Sequence, residues 1–487
     1  MTNRMLDNYD SMFGGLAVVG SKEFSVKAGK IHVNEKIIDQ QIKLAKKQKS
    51  WLLLFVIGTK PCFYKLYGPI IEAKKQNFPF IIIDSGQHYD KELTFGKEEF
   101  GYKDEIGIHL SIRGDLVQKA TELLLKFRWI SNFLNKKEPT INYVPIVNGD
   151  TIMTSFVPIA WMFSRNQKVI QNEAGLRSMY PLVLAEYNKV PIPEFINRQF
   201  YGPWKLCPNE PFPEQWDTFV SAAGSQYLFA PVNLNKEHLI REGHNPDRIF
   251  VTGGVVVEAL QKKLTDKPSR SIFDIYPQLR DGQWIRLDIH RRANLTKRRF
   301  LNIINCLELL IKNGYQVNFI EMSATRFALD KYNLRNKLKK LAKENKNNFL
   351  FSPVWPEYAQ VMEFYNSPNC LAALTDSGGV QEEMNLLNKI CLTCRFSTER
   401  PETVNQAHSN LIVPPVEGKF MFRVIDYVLN NQKLKSKMQN SQKLYGENVA
   451  KKFIKIVSKL SKSKASLFNW THEEIGLWKE KDQGDFL

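Results

Sequence analysis

Short runs of β-branched and aromatic residues alternate with longer amphipathic segments, and this alternation limits the fold more than any other feature of the sequence. The first set of strand-like runs begins at Trp51–Ile57 and ends at Ile249–Val251, and the second begins at Trp284–Leu287 and ends at Ile390–Thr393. Strands that alternate with helices are typical of parallel sheets with crossover helices. We therefore predict an α/β protein with two doubly wound domains facing a central cleft.

The predicted domain boundaries follow from these two sets of strands. Residues 1–50 are predicted to be an N-terminal extension, and residues 51–253 the first domain, with an insertion at about 178–210. The second domain covers 254–430. Residues 431–487 are predicted to be C-terminal helices that pack back on the first domain.

The composition is that of a water-soluble globular protein. The sequence is 43% hydrophobic and 24% charged, and no apolar run approaches the roughly 18 residues of a membrane-spanning helix. The N-terminus lacks the basic and apolar segments of a signal peptide, so we expect a cytoplasmic protein. Cys391 and Cys394 have no second cysteine pair at zinc-ligand spacing, which favours buried thiols over a metal site.

A net charge of +18 raises the question of an acidic partner. Lysines and arginines gather in helix-like runs, within residues 43–49, 331–346 and 433–464. No aromatic interleaving or nucleic-acid fold signature accompanies these runs, so no nucleic-acid partner is expected. Two explanations stay open: peripheral association of the C-terminal helices with a membrane surface or an acidic glycan, or a basic face that is simply solvated.

In the first half, polar side chains follow four successive strand-like runs. The carboxyl ends of parallel strands meet at one edge of a sheet, where ligands of doubly wound folds bind. Carboxylates and cations at four such ends therefore predict one binding site, although each motif alone could be a structural turn. The candidate residues are Lys60 and Lys65, His88, Asp150, and Glu173 with Arg177.

The second half repeats this arrangement. Ser377, Gly378 and Gly379 stand between an apolar strand and a helix, where unpaired N–H groups and the helix dipole favour an anion. A serine N-cap would explain the turn without a ligand. His290 and Arg291 follow another strand, and two adjacent cations, Arg291 and the next residue, suit a diphosphate.

The ordered motifs resemble the non-hydrolysing UDP-N-acetylglucosamine 2-epimerases, a family with the GT-B fold of two Rossmann-like domains. The resemblance extends from about Trp51 to about Val457. It rests on these elements: Gly58-Thr59-x-Pro61 with Lys65, Gly86-Gln87-His88, Gly149-Asp150-Thr151, Glu173-Ala174-Gly175-Leu176-Arg177, His290-Arg291-Arg292, Thr375-Asp376-Ser377-Gly378-Gly379 with Gln381-Glu382-Glu383, and Thr398-Glu399-Arg400-Pro401-Glu402.

The resemblance implies interconversion of UDP-GlcNAc and UDP-ManNAc, or of a related UDP-sugar, by elimination and re-addition of UDP without a metal or nicotinamide. It implies acid/base roles for Asp150 and Glu173 and a role for His290 near the diphosphate. The third carboxylate falls on either Glu194 or Glu214, and spacing favours Glu214. Homodimerisation is common in the family. The implied contacts to UDP and the sugar are Lys65, Ser377, Glu383, Thr398, Glu399 and Arg400.

Several departures from the family pattern lie where the sugar is expected. Lys60 replaces the family's arginine, Cys62 a glutamate, Asn148 a histidine and Ala293 another glutamate. The nucleotide motifs are kept better. A UDP-sugar-dependent glycosyltransferase that acts on a surface glycan therefore stays open as an alternative function, as does a hydrolysing 2-epimerase. The insertion is predicted to be either a lid over the cleft or a decorated surface loop.

Overall fold

The computed structural model describes residues 30–86, 99–101 and 103–479, without the side chains of Lys60, Pro61 and Lys103. The chain divides into two compact units. Unit 1 comprises Met1–Gly175, Pro213–Val255 and Asn448–Leu487, and unit 2 comprises Leu176–Phe212 and Val256–Glu447. No helix in the described ranges is both long and apolar enough to cross a membrane.

Unit 1 is built on a sheet in which eight strands are described, in the order β1-β4-β3-β2-β5-β6-β9-β10. All neighbouring pairs are parallel except β1 and β4. The strand order reverses between β2 and β5, which makes this pair the topological switch point of the sheet. The strands are β1 (His32–Val33), β2 (Leu52–Ile57), β3 (Phe80–Asp84), β4 (Ile106–His109), β5 (Tyr143–Asn148), β6 (Val169–Asn172), β9 (Ser225–Ala230) and β10 (Ile249–Val251).

Helices cover the sheet of unit 1, and this explains why its central strands are continuous apolar runs. Every residue of β2, β3 and β5 is buried. The helices are α1 (Glu35–Gln48), α2 (Lys60–Lys65), α3 (Tyr67–Lys75), α4 (Leu116–Lys137), α5 (Ile152–Arg165), α7 (Glu214–Ala223), α8 (Asn233–Arg241), α19 (Val449–Lys462) and α20 (Thr471–Glu474).

The main sheet of unit 2 has the strand order β13-β12-β11-β14-β15-β16, and its described pairs are all parallel. Numbered within the unit, this is the doubly wound order 3-2-1-4-5-6, with the switch point between β11 and β14. The strands are β11 (Trp284–Asp288), β12 (Gln316–Glu321), β13 (Phe349–Pro353), β14 (Cys370–Thr375), β15 (Ile390–Thr393) and β16 (Asn410–Ile412).

The helices of unit 2 pack on its sheet around an apolar core, to which α11 and α17 contribute one side. They are α6 (Ile192–Tyr201), α9 (Val256–Thr265), α10 (Ile272–Ile275), α11 (Lys297–Lys312), α12 (Ser323–Lys331), α13 (Arg335–Glu344), α14 (Tyr358–Asn366), α15 (Gly378–Leu386), α16 (Glu402–Asn405), α17 (Gly418–Asn430) and α18 (Gln432–Gln439).

The predicted insertion belongs to unit 2, whereas the sequence analysis assigned it to the first domain. It contains α6 between the antiparallel strands β7 (Met179–Pro181) and β8 (Trp204–Leu206). Phe195 and Phe200 of α6 are buried in the core of unit 2. The Gln199 amide donates to Ile412 O and accepts from Ile412 N–H, both at 2.9 Å. The insertion therefore extends the core and the sheet edge of unit 2, and is not a decorated surface loop.

Both chain ends also differ from the predicted boundaries. The described part of residues 1–50 contributes β1 and α1 to unit 1, because β1 pairs with β4 and one face of α1 is buried. At the other end, α18 groups with unit 2, and Asn448–Leu487 groups with unit 1. The described part of the predicted N-terminal extension therefore belongs to unit 1, and the described C-terminal helices divide between the two units.

Replacement of Gln199 tests the role of the insertion in unit 2. Gln199→Ala leaves the buried N–H and C=O of Ile412 without their partner, so we expect unfolding free energy to fall by about 2–4 kcal/mol. Urea unfolding followed by circular dichroism measures the change. Gln432→Ala, the same substitution at an exposed position of α18, should change stability little; equal losses in both variants would contradict this role.

Candidate functional site

A buried ion pair joins two of the predicted residues at the carboxyl edge of the unit 1 sheet. Lys65 Nζ lies 2.8 Å from both carboxylate oxygens of Glu173, and the Asn148 amide donates to Glu173 Oε2 at 3.0 Å. Lys65 is 6% exposed and Glu173 1%. A buried carboxylate with an ammonium group and an amide donor is held ionised and in a fixed orientation.

The backbone at this edge has conformations that the site requires. Glu173 has φ of 57°, an uncommon left-handed conformation for a residue with a side chain. Gly149 has φ of 75°, and a Cβ there would lie 3.0 Å from Glu173 Oε2. A side chain at position 149 would therefore be strained and would crowd the carboxylate. Asp150 follows directly and is partly exposed.

Asp217 is a third acidic residue near Asp150 that the sequence analysis missed. It lies on α7, one turn after Glu214, and is 1% exposed. Ser155 Oγ donates to Asp217 Oδ1 at 2.6 Å. Burial raises the pKa of Asp217 to about 7; the Ser155 bond opposes this shift, and the charges of Asp150 and Glu214 add to it. Unit 1 thus holds a carboxyl group that titrates near neutral pH beside two predicted catalytic acids.

The two candidates for the third carboxylate lie in different units. Glu214 is the first residue of α7 and is partly buried, in the electrostatic neighbourhood of Asp217. Glu194 lies on α6 of unit 2, where its carboxylate is exposed and 3.7 Å from Arg198. This environment favours Glu214, since it shares unit 1 with Asp150 and Glu173.

In unit 2, the carboxylate of Asp376 ties together the two loops at the switch point. It accepts hydrogen bonds from the backbone N–H of His290 at 3.0 Å and of Arg291 at 2.9 Å. The Asn294 amide donates to it at 3.0 Å. His290 Nδ1 lies 3.2 Å from Asp376 Oδ1, and its ring is half-buried. Asp376 therefore fixes the backbone from which His290 and Arg291 project.

Helix α15 begins at the same switch point, directly after Asp376 and Ser377. The first N–H groups of a helix have no partner within the helix, and here they follow Ser377 at the carboxyl end of β14. A Cβ on Gly378 would lie 3.4 Å from Arg400 Nη1, whereas one on Gly379 would meet nothing within 4 Å. This helix start is therefore open and close to a guanidinium group, a suitable place for a phosphate.

The other residues of unit 2 that were predicted to contact UDP or the sugar are buried, and they hold α15 in place. Arg400, 1% exposed, pairs with Glu382, and the Tyr358 hydroxyl donates to Glu383 at 2.6 Å. Thr398 donates to Gln381 at 2.6 Å.

Glu399 is also buried, and it sits between two arginines. Arg395 contacts both of its carboxylate oxygens, at 2.6 and 3.1 Å, and Arg291 lies 3.8 Å away. Although burial opposes it, these two cations hold the pKa of Glu399 well below its usual range. Glu399 is thus a permanent anion that orients Arg291.

Asp288, His290 and Asp376 have ligand atoms within 4.8 Å of one another, a spacing that could hold a metal ion. Asp376 already accepts hydrogen bonds from two backbone N–H groups and one amide, and Asp288 accepts the Thr375 hydroxyl at 2.5 Å. Burial raises the pKa of Asp288, which disfavours the charged form that a metal needs. Cys391 and Cys394 are buried free thiols, as predicted.

Of the other predicted binding residues, two are not fully described and one is buried. His88 lies outside the described residues, and of Lys60 only the backbone, at the start of α2, is described. Arg177 is fully buried in unit 2, and its Nη1 donates to Leu176 O at 2.8 Å.

Comparison with known proteins identifies the chain's relatives. A family model described as UDP-N-acetylglucosamine 2-epimerase matches residues 208–460. The UDP-N-acetylglucosamine 2-epimerase of Methanocaldococcus jannaschii is 30% identical over 396 residues, 78% of this chain and 93% of that protein. The Campylobacter jejuni enzyme of the same name is 26% identical over 424 residues, 84% of this chain and 97% of that protein.

Solved structures agree on the fold. The M. jannaschii UDP-GlcNAc 2-epimerase in complex with UDP-GlcNAc and UDP superposes with a TM-score of 0.66 at 24% identity, covering 84% of this chain and 99% of that one. The Neisseria meningitidis enzyme bound to UDP-GlcNAc gives a TM-score of 0.65 at 23% identity, covering 84% and 100%.

The two doubly wound parallel sheets and these superpositions place the chain in the GT-B class of α/β proteins. More narrowly, the matched model and the M. jannaschii relative show that it belongs to the UDP-N-acetylglucosamine 2-epimerase family. The predicted fold and family are thereby confirmed.

The raised pKa of Asp217 predicts that the stability of the protein depends on pH. The pKa of Asp217 is about 7 in the folded protein and about 3.9 in an unfolded chain. Folding therefore takes up a proton between these values, and stability falls as pH rises through this range. The unfolding free energy of Asp217→Asn, taken relative to that of the wild type, should therefore rise by about 2–3 kcal/mol from about pH 5 to about pH 8. Urea unfolding at both pH values measures it; a pH-independent difference would contradict the raised pKa.

A second prediction concerns the Lys65–Glu173 pair. Lys65→Met leaves the buried Glu173 carboxylate without its cation, so unfolding free energy should fall by about 3–5 kcal/mol. Lys65→Met combined with Glu173→Gln removes both charges and should recover most of this loss. Thermal and urea unfolding of both variants distinguish the outcomes, and a double variant no more stable than Lys65→Met would show that the pair's charges are not responsible.

Proposed function

We propose that this protein interconverts UDP-GlcNAc and UDP-ManNAc by eliminating UDP from the sugar and adding it back with C2 inverted. Family membership supports this reaction, and relatives that carry this activity in their names match most of the chain. The single observation that carries it is the Glu173 carboxylate, which Lys65 and Asn148 hold at the end of a strand next to the strand that leads to Asp150.

The carboxylates of unit 1 suit the proton transfers of this reaction. A sugar C2 proton is weakly acidic, so its removal needs a positioned base, and inversion needs an acid that returns a proton to the other face. Asp150 is partly exposed and free to act on a substrate, whereas Glu173 is held ionised by Lys65. We assign Asp150 as the base that removes the C2 proton and Glu214 as the acid that returns a proton, with Glu173 as a fixed hydrogen-bond acceptor. Asp217, with a pKa near neutrality, keeps a proton within this group of acids.

The switch point of unit 2 suits the leaving UDP. The start of α15, the guanidinium of Arg291 and the ring of His290 offer donors and positive charge where the diphosphate develops charge on leaving. Glu399 and Asp376 hold Arg291 and His290 in place. Glu383 lies on α15 and accepts a hydrogen bond from Tyr358 of α14. Its carboxylate is suited to accept hydrogen bonds from ribose hydroxyls.

Three finer properties belong to the same proposal. The reaction uses neither a metal nor a nicotinamide, the protein works in the cytoplasm, and it forms a homodimer as its relatives commonly do. A glycosyltransferase or a hydrolysing 2-epimerase is the competing function, because Asn148, which departs from the family pattern, contacts the candidate carboxylate of Glu173.

Deuterium exchange separates these functions. Incubated with UDP-GlcNAc in deuterated water, the protein should place deuterium at C2 of the sugar while UDP-ManNAc accumulates, both followed by proton NMR. Free ManNAc with UDP would indicate hydrolysis. A nucleotide sugar that stays inert until a glycan acceptor is added would contradict the epimerase proposal.

Substitution of Asp150 tests the assignment of the base. Asp150→Asn keeps the size of the side chain but cannot accept the C2 proton, so exchange should fall at least about 1000-fold. UDP binding, measured by titration calorimetry, should stay within about twofold because the nucleotide site lies on unit 2. The control Asp247→Asn changes an exposed acid and should leave exchange unchanged. Exchange that survives Asp150→Asn would rule out this base.

A further inference from the structure

Helix α19 of unit 1 has one face made of four lysines and Ser458. The residues 451, 455, 459 and 462 are spaced by four, four and three positions, so their side chains lie on one side of the helix. The opposite side of α19 is buried in unit 1. All lysines of this region are exposed: Lys451, Lys452, Lys455, Lys459 and Lys462, and Lys464 just beyond the helix.

Among the residues that the structure describes, no acidic group forms an ion pair with this face. The sequence contains no Asp or Glu from Asn448 to His472. Like charges three and four positions apart destabilise a helix. The lysine face thus carries a cost within the folded protein that an anionic partner would remove.

A shallow groove runs between this face and the end of α3. Its volume is about 780 Å³, and ammonium, hydroxyl and amide groups line it without a carboxylate. Such groups are hydrogen-bond donors for phosphate oxygens. The lining residues are Gln76, Lys451, Lys455, Ser458, Lys459, Lys462 and Ser463.

The chain that follows α19 runs along the amino ends of the unit 1 strands. At the start of this path, Trp51 N–H, just before β2, donates to Ser461 Oγ at 2.8 Å. At its end, Arg248, just before β10, lies 2.7 Å from Glu474 of α20. The end of α19 and the residues after α20 are therefore at the same edge of the sheet. The candidate catalytic carboxylates are at the opposite, carboxyl edge.

Apolar side chains are exposed at this amino edge. Ile475 is 66% exposed, and Leu477 and Trp478 are each 60% exposed. The Trp478 ring stacks on His472, with 4.7 Å between ring centroids. Exposed Trp and Leu side chains at the same sheet edge as a lysine-rich helix are typical of proteins that bind at a membrane interface.

We propose that this surface, made of the lysine face of α19 and residues 475–478, docks on an anionic lipid bilayer. Phosphate groups of the lipids occupy the groove beside α19, and Leu477 and Trp478 enter the interface. A soluble polyanion would account for the lysines but not for the exposed apolar side chains. Docking through the amino edge leaves the carboxyl edge of the unit 1 sheet on the side away from the bilayer. The proposal does not depend on the reaction that the protein catalyses.

Charge reversal on α19 tests the electrostatic part. The protein should co-sediment with vesicles of phosphatidylcholine and phosphatidylglycerol but not with phosphatidylcholine alone. The combined change Lys455→Glu, Lys459→Glu and Lys462→Glu should lower the partition coefficient about 100-fold. The matched control Lys339→Glu, Lys343→Glu and Lys346→Glu makes the same charge change at exposed positions of unit 2. Equal losses in both variants would overturn the proposal, because they would indicate binding by net charge.

Trp478 tests the apolar part. Lipids with brominated acyl chains should quench part of the tryptophan fluorescence of the wild type, and Trp478→Phe should lose this quenching while keeping vesicle binding. Leu477→Ser with Trp478→Ser should weaken partitioning about tenfold or more. Unchanged circular dichroism and UDP binding show that each variant is folded.

Two results would identify a different occupant of this surface. Binding to polyphosphate without binding to vesicles would overturn the proposal in favour of a soluble polyanion. Self-association in sedimentation velocity, abolished by Leu477→Ser with Trp478→Ser and accompanied by no vesicle binding, would assign the surface to a second copy of the chain.

Discussion

The buried carboxylate of Asp376 holds together the parts of unit 2 that face a ligand. It stands at the end of β14 and accepts hydrogen bonds from the loop that follows β11, so it spans the point where the strand order reverses. Without it, two backbone N–H groups and the Asn294 amide would lose their acceptor. Because α15 starts two residues later, the same carboxylate also sets where the helix begins. In unit 1, Glu173 has a comparable position, with Lys65 as its counter-charge.

These two networks show how each unit holds charged side chains in fixed positions. Each carboxylate is buried and has an identified cation or amide donor, so it is held in one orientation. The groups left with exposure, Asp150 and His290, are then the ones able to respond to a substrate. Asp217 is different, because its main partner is the neutral Ser155 hydroxyl.

The sequence was sufficient to predict the parallel strands and the edge of each sheet to which the candidate residues belong. Strands such as β2 and β14 are buried on both faces and are therefore continuous apolar runs. It was insufficient where non-local packing decides. In the sequence, Asp217 looks like an ordinary acidic residue on a helix. It is buried because α7 packs against α5, where Ser155 contacts it. The predicted insertion gave no local signal that Phe195 and Gln199 complete another unit.

Segments of the two units alternate along the sequence, and this affects when each unit can fold during synthesis. During synthesis, residues 176–212 appear early, but the rest of unit 2 follows only after Val256. Unit 1 is completed later still, because its last segment, which includes the buried face of α19, follows all of unit 2 in the sequence. Neither unit can complete its core before most of the polypeptide has been produced. Isolated fragments cut at Val256 would therefore each lack part of their own interior.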